Sequence, residues 1–475
     1  MRKDFFAPPA AWDEAADVII IGSGLAGLAA ACEAAGQTGR VVILDKMRYY
    51  GGNSVLAGGG FASWDSKLKL RQKLGLGEDS AALHMGDTIK GGGNYSIPAL
   101  VKVMVDGAPS ALDFMIDSGV PFKDLLAKVG GYSAPRAYHT AVSGKVMMDC
   151  IKKAALGAGA ELRLGSEVTK IFRDMESGEV QGLEVKTANG AVSIFARRAI
   201  IIASGGFGRD SALRKEYNPM LLETLPCSNH KGATGEVIRY AKAIGADTLH
   251  MEFVQLFPSA NPKTGSLDPW AFYAYTGTGF GMIYVDDVGR RFVRELAGRD
   301  EVSNAQINSC KSPTYAVFNA AIIDKLGMTP KEVETGLRLG RMVRGESVAE
   351  LAESLGLPKG ALCDTVSRVN AALEREQPDP DFGGARGGGE MLPLTQGPFF
   401  AIPQWPSVHY TMGGVRIDET ARVIDVFGTP IPRLYAAGEV CGGIHGANRL
   451  GGNSLADCVV FGRIAGIGAA GENLR

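Results

Sequence analysis

Short apolar runs alternate with glycine-rich turns in the first part of this chain. Residues 17–21 are Asp17 followed by four β-branched apolar residues, a short run next to glycine that is typical of a buried parallel strand. Residues 25–35 are interpreted as a helix, and residues 41–44 as a second buried strand. A strand, a helix and a second strand in this order predict a βαβ unit in a parallel sheet.

The turn between the first strand and the helix has the spacing GxGxxG, with Gly22, Gly24 and Gly27 as its glycines. In this pattern the first glycine permits a tight turn, the second lets the main chain approach a pyrophosphate, and the third lets the helix lie close to the sheet. Asp45 ends the second strand about 20 residues later, where a carboxylate can accept hydrogen bonds from a ribose. The combination predicts dinucleotide binding; a glycine-rich turn without a ligand is the alternative.

Further along, residues 97–117 carry apolar side chains at three- and four-residue spacing, which predicts helix. Pro109 is expected to split that stretch in two, because proline fits best in the first turn of a helix. Segments within residues 167–195 are interpreted as an antiparallel meander. Residues 199–203 are interpreted as another parallel strand, followed by a glycine corner that approaches the same nucleotide.

Near residue 250 the sequence changes to more aromatic residues, longer loops and a new set of helices, until about residue 406. With 475 residues, the chain is also too long for one hydrophobic core. We therefore predict a discontinuous first domain, residues 1–250 and 407–475, with residues 251–406 inserted as a second domain.

Composition excludes several classes of protein. The 50 basic and 51 acidic residues nearly balance, so nothing favours nucleic acid or an anionic membrane as a partner. The seven cysteines show no CxxC or metal-ligand spacing, so no metal, haem or iron–sulfur site is predicted, and a reducing compartment is favoured. The amino terminus lacks the apolar region of a signal peptide, and no run approaches 18 apolar residues. A cytoplasmic location without a membrane span is expected.

Three segments then identify a family resemblance: GSGLAGLAAA (residues 22–31), LDK (44–46) and GGNSVLAGGG (51–60). They resemble the flavin-binding half of the fumarate reductase and succinate dehydrogenase flavoprotein family. The resemblance implies an α/β fold: a Rossmann-like FAD-binding domain with an inserted α+β capping domain. Family members with covalent flavin carry a histidine in the GGNS region, where Asn53 and Ser54 stand here, so non-covalent FAD is expected. Motif and resemblance together assign to FAD Gly22, Gly24, Leu25, Ala26, Gly27, Asp45, Lys46, Gly52, Asn53, Ser54, Gly58, Gly59, Val168, Ala203, Ser204, Gly205, Glu439, Arg449, Asn453, Ser454 and Leu455.

Three more segments match the family's substrate site: GRRFVRELAGRDEVS (residues 289–303), HYTMGG (409–414) and HGANRLGGN (445–453). The resemblance implies that Arg299 protonates the substrate, and that His409 and Arg449 hold one of its carboxylates against the flavin. We expect these three side chains to reach a common place. An ion pair of Arg299 with Asp300 or Glu295 is the structural alternative.

The chain also departs from the family pattern. Where dicarboxylate reductases have a histidine in a QxHP segment, this chain has Gln255 followed by Phe257, which makes fumarate or succinate doubtful. Counting back from Gly289 places Tyr275 and Thr278 at the positions of the family's proton-relay Glu and Arg. Only Gln255 of that relay remains, so Tyr275 is the candidate substitute.

Aromatic residues enrich this part of the sequence, with Phe257, Tyr273 and Tyr275 as expected pocket residues beside Thr278. They favour a substrate with an aromatic or apolar tail, as in the family's urocanate- and cinnamate-type branch, unless they fill a domain core instead. Arg136, in an irregular loop over residues 130–139, is a further candidate ligand contact; a solvated charge is the alternative.

The resulting hypothesis is an FAD-dependent CH–CH oxidoreductase. Reduced FAD would transfer hydride from N5 to the C=C bond of an enoate, and Arg299 would protonate the other carbon. One alternative is the reverse reaction, as an acyl or ketosteroid-type dehydrogenase. Another is a non-catalytic flavin-binding redox subunit or sensor. The expected partners are a small-molecule substrate and an unidentified electron-transfer partner or reduced flavin.

Overall fold

The computed structural model describes residues 8–128, 130–174, 176–221, 223–384 and 391–475. Residues 1–7, part of the amino-terminal segment considered above, lie outside the described residues. The chain forms two compact units: the first comprises Met1–Glu223, Asn229–Val254 and Tyr410–Arg475, and the second Thr224–Ser228 and Gln255–His409. The predicted boundaries, after residues 250 and 406, lie four and three residues before those of the structure.

The first unit contains one large sheet and two small ones. Its strands are β1 (Glu14–Ile21), β2 (Val41–Asp45), β3 (Gly60–Ala62), β4 (Phe122–Ala127), β5 (Ala137–Thr140), β6 (Glu161–Leu164), β7 (Glu167–Arg173), β8 (Val180–Thr187), β9 (Gly190–Ile202), β10 (Thr248–Leu249), β16 (Gly414–Arg416), β17 (Arg422–Ile424), β18 (Pro430–Ala436) and β19 (Cys441–Gly442). Its helices are α1 (Leu25–Ala35), α2 (Leu70–Lys73), α3 (Ala81–Gly91), α4 (Pro98–Asp117), α5 (Gly144–Gly157), α6 (Ser211–Tyr217), α7 (Glu236–Ala243) and α14 (Asn453–Gly471), with a 3₁₀ turn at Gly52–Leu56.

The large sheet has the strand order β17-β18-β9-β1-β2-β6, with β8 and β7 added beside β9. Strands β18, β9, β1, β2 and β6 are parallel to one another. This arrangement confirms the predicted Rossmann-like α/β fold. Strand β1 starts three residues earlier than predicted, and α1 has the predicted bounds.

Glycine allows α1 to lie directly on the sheet. A Cβ at Gly27 would lie 2.0 Å from the carbonyl oxygen of Gly22. Gly22 itself has φ +108°, and a Cβ there would lie 2.3 Å from the carbonyl oxygen of Ala203. Two backbone approaches that exclude any side chain therefore fix the turn, as the GxGxxG motif predicts.

Strand β9 joins two segments that the sequence suggested were separate. It is one strand of 13 residues. Its first half pairs antiparallel with β8, and its second half pairs parallel with β1. The interval between the predicted segments carries Arg197 and Arg198, whose polar side chains interrupt the apolar pattern without ending the strand.

The prediction that Pro109 divides the helix over residues 97–117 is wrong, because α4 runs unbroken through it. Proline lacks the N–H that would bond to the carbonyl four residues earlier, on Val105. Here the indole N–H of Trp64 donates to that carbonyl oxygen at 3.0 Å. A side chain distant in sequence thus replaces the lost bond.

Helix α14 is the one helix of the described residues that is long and apolar enough to cross a membrane, and 61% of its most apolar window is buried inside the protein. It packs against α1 through small residues. A Cβ at Gly462 would lie 2.6 Å from the carbonyl oxygen of Ala26, and one at Gly466 would lie 2.3 Å from that of Ala30. Close contact with α1 therefore accounts for the apolar and glycine content of α14.

The second unit has its own hydrophobic core. Its sheet has the order β11-β15-β13-β12, with β14 beside β15. The strands are β11 (Val254–Ala260), β12 (Ile283–Val285), β13 (Thr314–Asn319), β14 (Val343–Gly345) and β15 (Phe399–Thr411). The helices are α8 (Pro269–Gly277), α9 (Arg299–Ser309), α10 (Ala320–Leu326), α11 (Pro330–Arg338), α12 (Val348–Leu355) and α13 (Lys359–Glu374), with a 3₁₀ turn at Thr278–Phe280. Helices on a largely antiparallel sheet give the predicted α+β composition.

Candidate functional site

A cavity in the first unit lies where its parallel strands end. Its walls are the turn after β1, the carboxyl ends of β2 and β9, and the segment after β18. Ligands of open α/β sheets bind at this position. Of the predicted cofactor residues, those that line the cavity are Gly22, Gly24, Leu25, Ala26, Asp45, Lys46, Gly52, Asn53, Ser54, Val168, Ala203, Ser204, Gly205 and Glu439.

The remaining predicted cofactor residues are not among the lining residues described. These are Gly27, Gly58, Gly59, Arg449, Asn453, Ser454 and Leu455. Two of the glycines have packing roles: Gly27 lies against Gly22 in the turn after β1, and a Cβ at Gly59 would lie 1.9 Å from the Oγ1 of Thr140.

Hydrogen bonds hold Asp45 at the end of β2. Its carboxylate accepts bonds from the main-chain N–H of Ser23 at 3.0 Å and of Met47 at 2.9 Å. Ser23 belongs to the glycine turn, so the turn and the acidic residue are fixed together. This is the arrangement that a pyrophosphate followed by a ribose requires.

The 3₁₀ turn after β2 is also tied to the cavity. The Asn53 amide donates to Glu439 Oε2 at 2.8 Å and accepts from the main-chain N–H of His230 at 2.7 Å. Ser54 Oγ accepts from the N–H of Leu25, the first residue of α1, at 3.2 Å. Three distant segments therefore meet at the GGNS region.

Glu439 is a buried carboxylate in this cavity. Burial raises its pKa above the ordinary value, while hydrogen bonds from Asn53 and the main chain of Thr411 oppose the rise. A carboxyl in this environment changes its charge at less acidic pH than an exposed one.

His230 lines the same cavity and was missed by the sequence analysis. It lies in the turn that precedes α7, with only 8% of its surface exposed. Its Nε2 is buried without a hydrogen-bond partner among the described residues. The only sequence signal was its position two residues before Gly232 in the NHKGATG segment.

Asn453, at the start of α14, is occupied by internal contacts. Its Oδ1 accepts from Tyr132 Oη at 2.8 Å and lies 2.9 Å from His84 Nε2, and its Nδ2 donates to Thr88 at 3.0 Å. Because Nδ2 is the donor to Thr88, Oδ1 must accept the proton of His84 Nε2. The Asn453 side chain thus anchors α14 within the first unit.

The expectation that Arg136 contacts a ligand is wrong for the state described. Its side chain is fully buried, and its Nε and Nη2 donate to Asp79 at 3.1 and 2.8 Å. Its Nη1 lies 2.9 Å from Asp87. Residues 137–140 form strand β5 and not an irregular loop, which places this guanidinium inside the unit.

Arg449 lies against an aromatic ring in the first unit. Its guanidinium carbon is 4.7 Å from the centre of the Tyr410 ring, and His445 contacts the same ring edge-on at 5.6 Å. His445 Nε2 lies 3.3 Å from Asp457 Oδ2, and both side chains are buried. The cation is therefore held on the aromatic face in a site largely shielded from water.

Arg299 belongs to the second unit, at the first residue of α9. Its Nε donates to Tyr275 Oη at 3.2 Å. Its guanidinium carbon lies 4.9 Å from the Phe257 ring centre and 4.8 Å from that of Tyr275. Glu295 instead bonds to Arg291, and within the described residues Arg299 forms no ion pair with Asp300. The alternative that Arg299 forms an ion pair with Asp300 or Glu295 therefore does not describe the structure.

Phe257 is the centre of this group of side chains. Its ring lies 5.2 Å from Tyr275, 5.9 Å from Phe272 and 5.7 Å from His409. His409 Nδ1 is 3.0 Å from Ser228 Oγ. The second unit thus brings together Arg299, Tyr275, Phe257 and His409, which the sequence placed on four separate segments.

The other predicted residues of the second unit have different surroundings. Gln255 is buried on β11, and Thr278 donates to the carbonyl oxygen of Tyr275 at 2.9 Å. Tyr273 donates to Glu332 of α11 at 2.8 Å, and its ring packs on the unit's hydrophobic core. Tyr273 thus fills the core of the second unit, as the alternative in the sequence analysis proposed, because its hydroxyl bonds to Glu332 and its ring packs on the core.

Comparison with known proteins identifies relatives of this chain. A family model described as an FAD binding domain matches residues 17–455. Urocanate reductase of Eggerthella lenta is 34% identical over 464 residues, which cover 96% of this chain and 74% of that protein. NADH:fumarate oxidoreductase of Klebsiella pneumoniae is 35% identical over 458 residues, and the matched part of this chain, 96%, spans 47% of that protein's length. The structure of a flavocytochrome c3 fumarate reductase in an open conformation aligns with a TM-score of 0.83 at 32% identity, over 97% of this chain and 79% of that one.

Proposed function

This chain belongs to the FAD binding domain family, together with flavoproteins of the fumarate and urocanate reductase type, and from that premise we propose that it reduces the C=C bond of an enoate. The proposed substrate carries one carboxylate or carbonyl and an aromatic or apolar tail. The observation that carries the proposal is the group of Arg299, Tyr275, Phe257 and His409 in the second unit.

The cavity of the first unit fits the cofactor. Its glycine turn brings the main chain to the wall of the cavity, and its acidic residue follows the second strand. Neither Asn53 nor Ser54 offers the nucleophilic ring nitrogen of a histidine, so we propose that FAD is bound without a covalent link. When bound and reduced, the cofactor supplies the hydride that one alkene carbon accepts.

Arg299 is proposed to give the proton to the other alkene carbon. Arginine is an awkward acid because its pKa exceeds about 12. The contact with Tyr275 Oη gives it a hydrogen-bonding neighbour through which a proton can be replaced. We propose that Tyr275 takes the place of the family's carboxylate relay and also orients the guanidinium.

His409 and Arg449 are proposed to bind the carboxylate of the substrate, as the family resemblance implies. Each has the chemistry for that role: Arg449 is a buried cation, and His409 is held through Nδ1 by Ser228. A cation on the carboxylate stabilises the negative charge that develops as hydride arrives.

Phe257 is proposed to select the tail of the substrate. Its ring replaces the family histidine and is completely buried among Tyr275, Phe272 and His409. A benzene ring cannot neutralise a second carboxylate, and desolvating an unpaired carboxylate is costly. We therefore expect an aryl acrylate to be preferred over fumarate.

The proposal is tested by reducing the FAD-loaded protein anaerobically and mixing it with fumarate, urocanate, cinnamate and an enone in turn. Rapid reoxidation of the flavin by urocanate or cinnamate, and slow reoxidation by fumarate, is the expected result. Fumarate as the fastest oxidant would contradict the role of Phe257. Reoxidation by none of the four would favour a flavin-binding redox subunit without this activity.

A further inference from the structure

His230 has a defined protonation state in the first unit. The main-chain N–H of Gly232 donates to its Nδ1 at 3.1 Å. A nitrogen that accepts a hydrogen bond carries no proton, so the neutral ring must carry its proton on Nε2. Burial lowers the pKa of His230, which agrees with a neutral ring.

Two contacts orient this ring, and a third holds its main chain. Besides the bond from Gly232, the main-chain N–H of His230 donates to Asn53 Oδ1 at 2.7 Å. The ring of Tyr49 meets the imidazole edge-on at 5.0 Å. The side chain is therefore preorganised and not a flexible surface group.

The remaining ring atom, Nε2–H, is a donor without an acceptor. It is buried and has no partner among the described residues. An unsatisfied buried donor costs free energy, so such groups in folded proteins usually have a partner. His230 lines the cofactor cavity, which is where an acceptor would be supplied.

The position of His230 along the cavity indicates which part of the cofactor it meets. Gly232 separates its ring from Met47: a Cβ at Gly232 would lie 3.2 Å from both His230 Nδ1 and Met47 Cγ. Met47 follows Asp45 at the end of β2, the strand end that faces the adenosine ribose in this fold. His230 thus lies at the ADP side.

We propose that His230 Nε2–H donates a hydrogen bond to an oxygen of the ADP half of bound FAD. Ribose and phosphate oxygens in this half are acceptors, and a bond to an ionised phosphate would be the stronger one. His230 would then be a cofactor-binding residue supplied by the turn before α7, additional to the glycine turn and Asp45.

The test compares substitutions that place an amide near one ring nitrogen with a substitution that removes both nitrogens. His230→Asn retains a polar group near the position of Nδ1, whereas His230→Gln places an amide N–H near that of Nε2. His230→Phe keeps the ring volume and lacks both nitrogens. The dissociation constants of FAD and of ADP are measured on apoprotein by calorimetry, with thermal unfolding of the apoprotein to check the fold. Tyr49→Phe, which keeps the edge contact, is the control.

The expected result is a roughly tenfold weaker binding of both FAD and ADP by His230→Asn and His230→Phe, with His230→Gln and Tyr49→Phe near wild type. Wild-type affinity in the Asn and Phe variants would overturn the proposal. So would a Gln variant as weak as Asn and Phe, because the loss would then not follow the donor. Weaker FAD binding with unchanged ADP binding would overturn the assignment to the ADP half. The test measures cofactor binding alone and is independent of the proposed reaction.

Discussion

The cofactor cavity and the Arg299 group of side chains are built in different ways. The cavity is shaped by main chain: at Gly22 and Gly27 even one Cβ would overlap a carbonyl oxygen. The Arg299 group is shaped by side chains, with the cation held by the hydroxyl and ring of Tyr275 and the ring of Phe257. The first region should therefore be sensitive to added atoms, and the second to removed or exchanged ones.

The largest expected effect on stability is that of adding a methyl group at Gly22, which lines the cavity. In Gly22→Ala the residue has φ +108° and its Cβ lies 2.3 Å from the Ala203 carbonyl oxygen. A strained φ costs about 1–2 kcal/mol and overpacking about 1–3 kcal/mol, so the free energy of unfolding should fall by about 2–5 kcal/mol. Urea unfolding measures the loss.

Gly205→Ala is the matched control for this prediction. Gly205 also lines the cavity and has φ +76°, but a Cβ there meets nothing within 4 Å. Only the φ cost of about 1–2 kcal/mol should appear. Equal losses in the two variants would show that the close backbone approach at Gly22 does not matter.

Acid should lower the free energy of unfolding through His84. Burial lowers the pKa of His84 from 6.5 to about 4, while its Nε2 donates to Asn453 at the start of α14. Between pH 6.5 and 4 the unfolded state therefore binds a proton at His84 that the folded state does not bind. The contribution of neutral His84 to the free energy of unfolding is complete above pH 6.5 and is lost as pH falls towards 4. The loss is about 3 kcal/mol. In His84→Gln, urea unfolding between pH 7 and 4 should lack this component; an unchanged pH dependence would contradict the assignment.

Exchanging one side chain in the second unit should change substrate preference. Phe257→His replaces a ring that cannot donate to a carboxylate with one that can. A hydrogen bond to a charged group contributes about 1.5–3 kcal/mol, so kcat/KM for fumarate relative to cinnamate should rise about tenfold or more. Steady-state kinetics with both acids measure the ratio. A ratio unchanged from wild type would remove Phe257 from substrate selection.

The smallest expected effect is the loss of one hydroxyl. Tyr275→Phe keeps the ring beside Arg299 and removes the acceptor of its Nε–H. A hydrogen bond from a charged group contributes at least about 1.5 kcal/mol, so kcat should fall about tenfold while KM and FAD affinity stay the same. A rise in KM or a loss of FAD affinity of the same size would point to a structural role.

The same contrast explains what could be predicted from the sequence. The glycine turn, α1 and Asp45 act within one stretch of chain, so spacing alone located them. Arg299, Tyr275, Phe257 and His409 lie on separate segments, and only the family resemblance assembled them. Counting from Gly289 selected Tyr275, and the structure shows its bond to Arg299.

The misjudged positions share one cause, which is a partner far away in sequence. Trp64 compensates Pro109, and Asp79 and Asp87 bury Arg136. The fold places His230 on the cofactor cavity, although its turn is distant in sequence from the glycine turn and Asp45. Local sequence patterns do not show partners that are distant in sequence. A main-chain motif such as the glycine turn can be predicted because all its residues lie in one short segment.

The central claim, that Arg299 supplies the proton to the alkene, is tested most directly by single-turnover reoxidation of reduced Arg299→Ala. The enoate that oxidises the wild-type flavin fastest is mixed with each protein anaerobically, and the flavin absorbance is followed. We expect the variant to bind FAD with an unchanged spectrum and to be reoxidised about 100- to 10,000-fold more slowly. Reoxidation of Arg299→Ala at the wild-type rate would contradict the account.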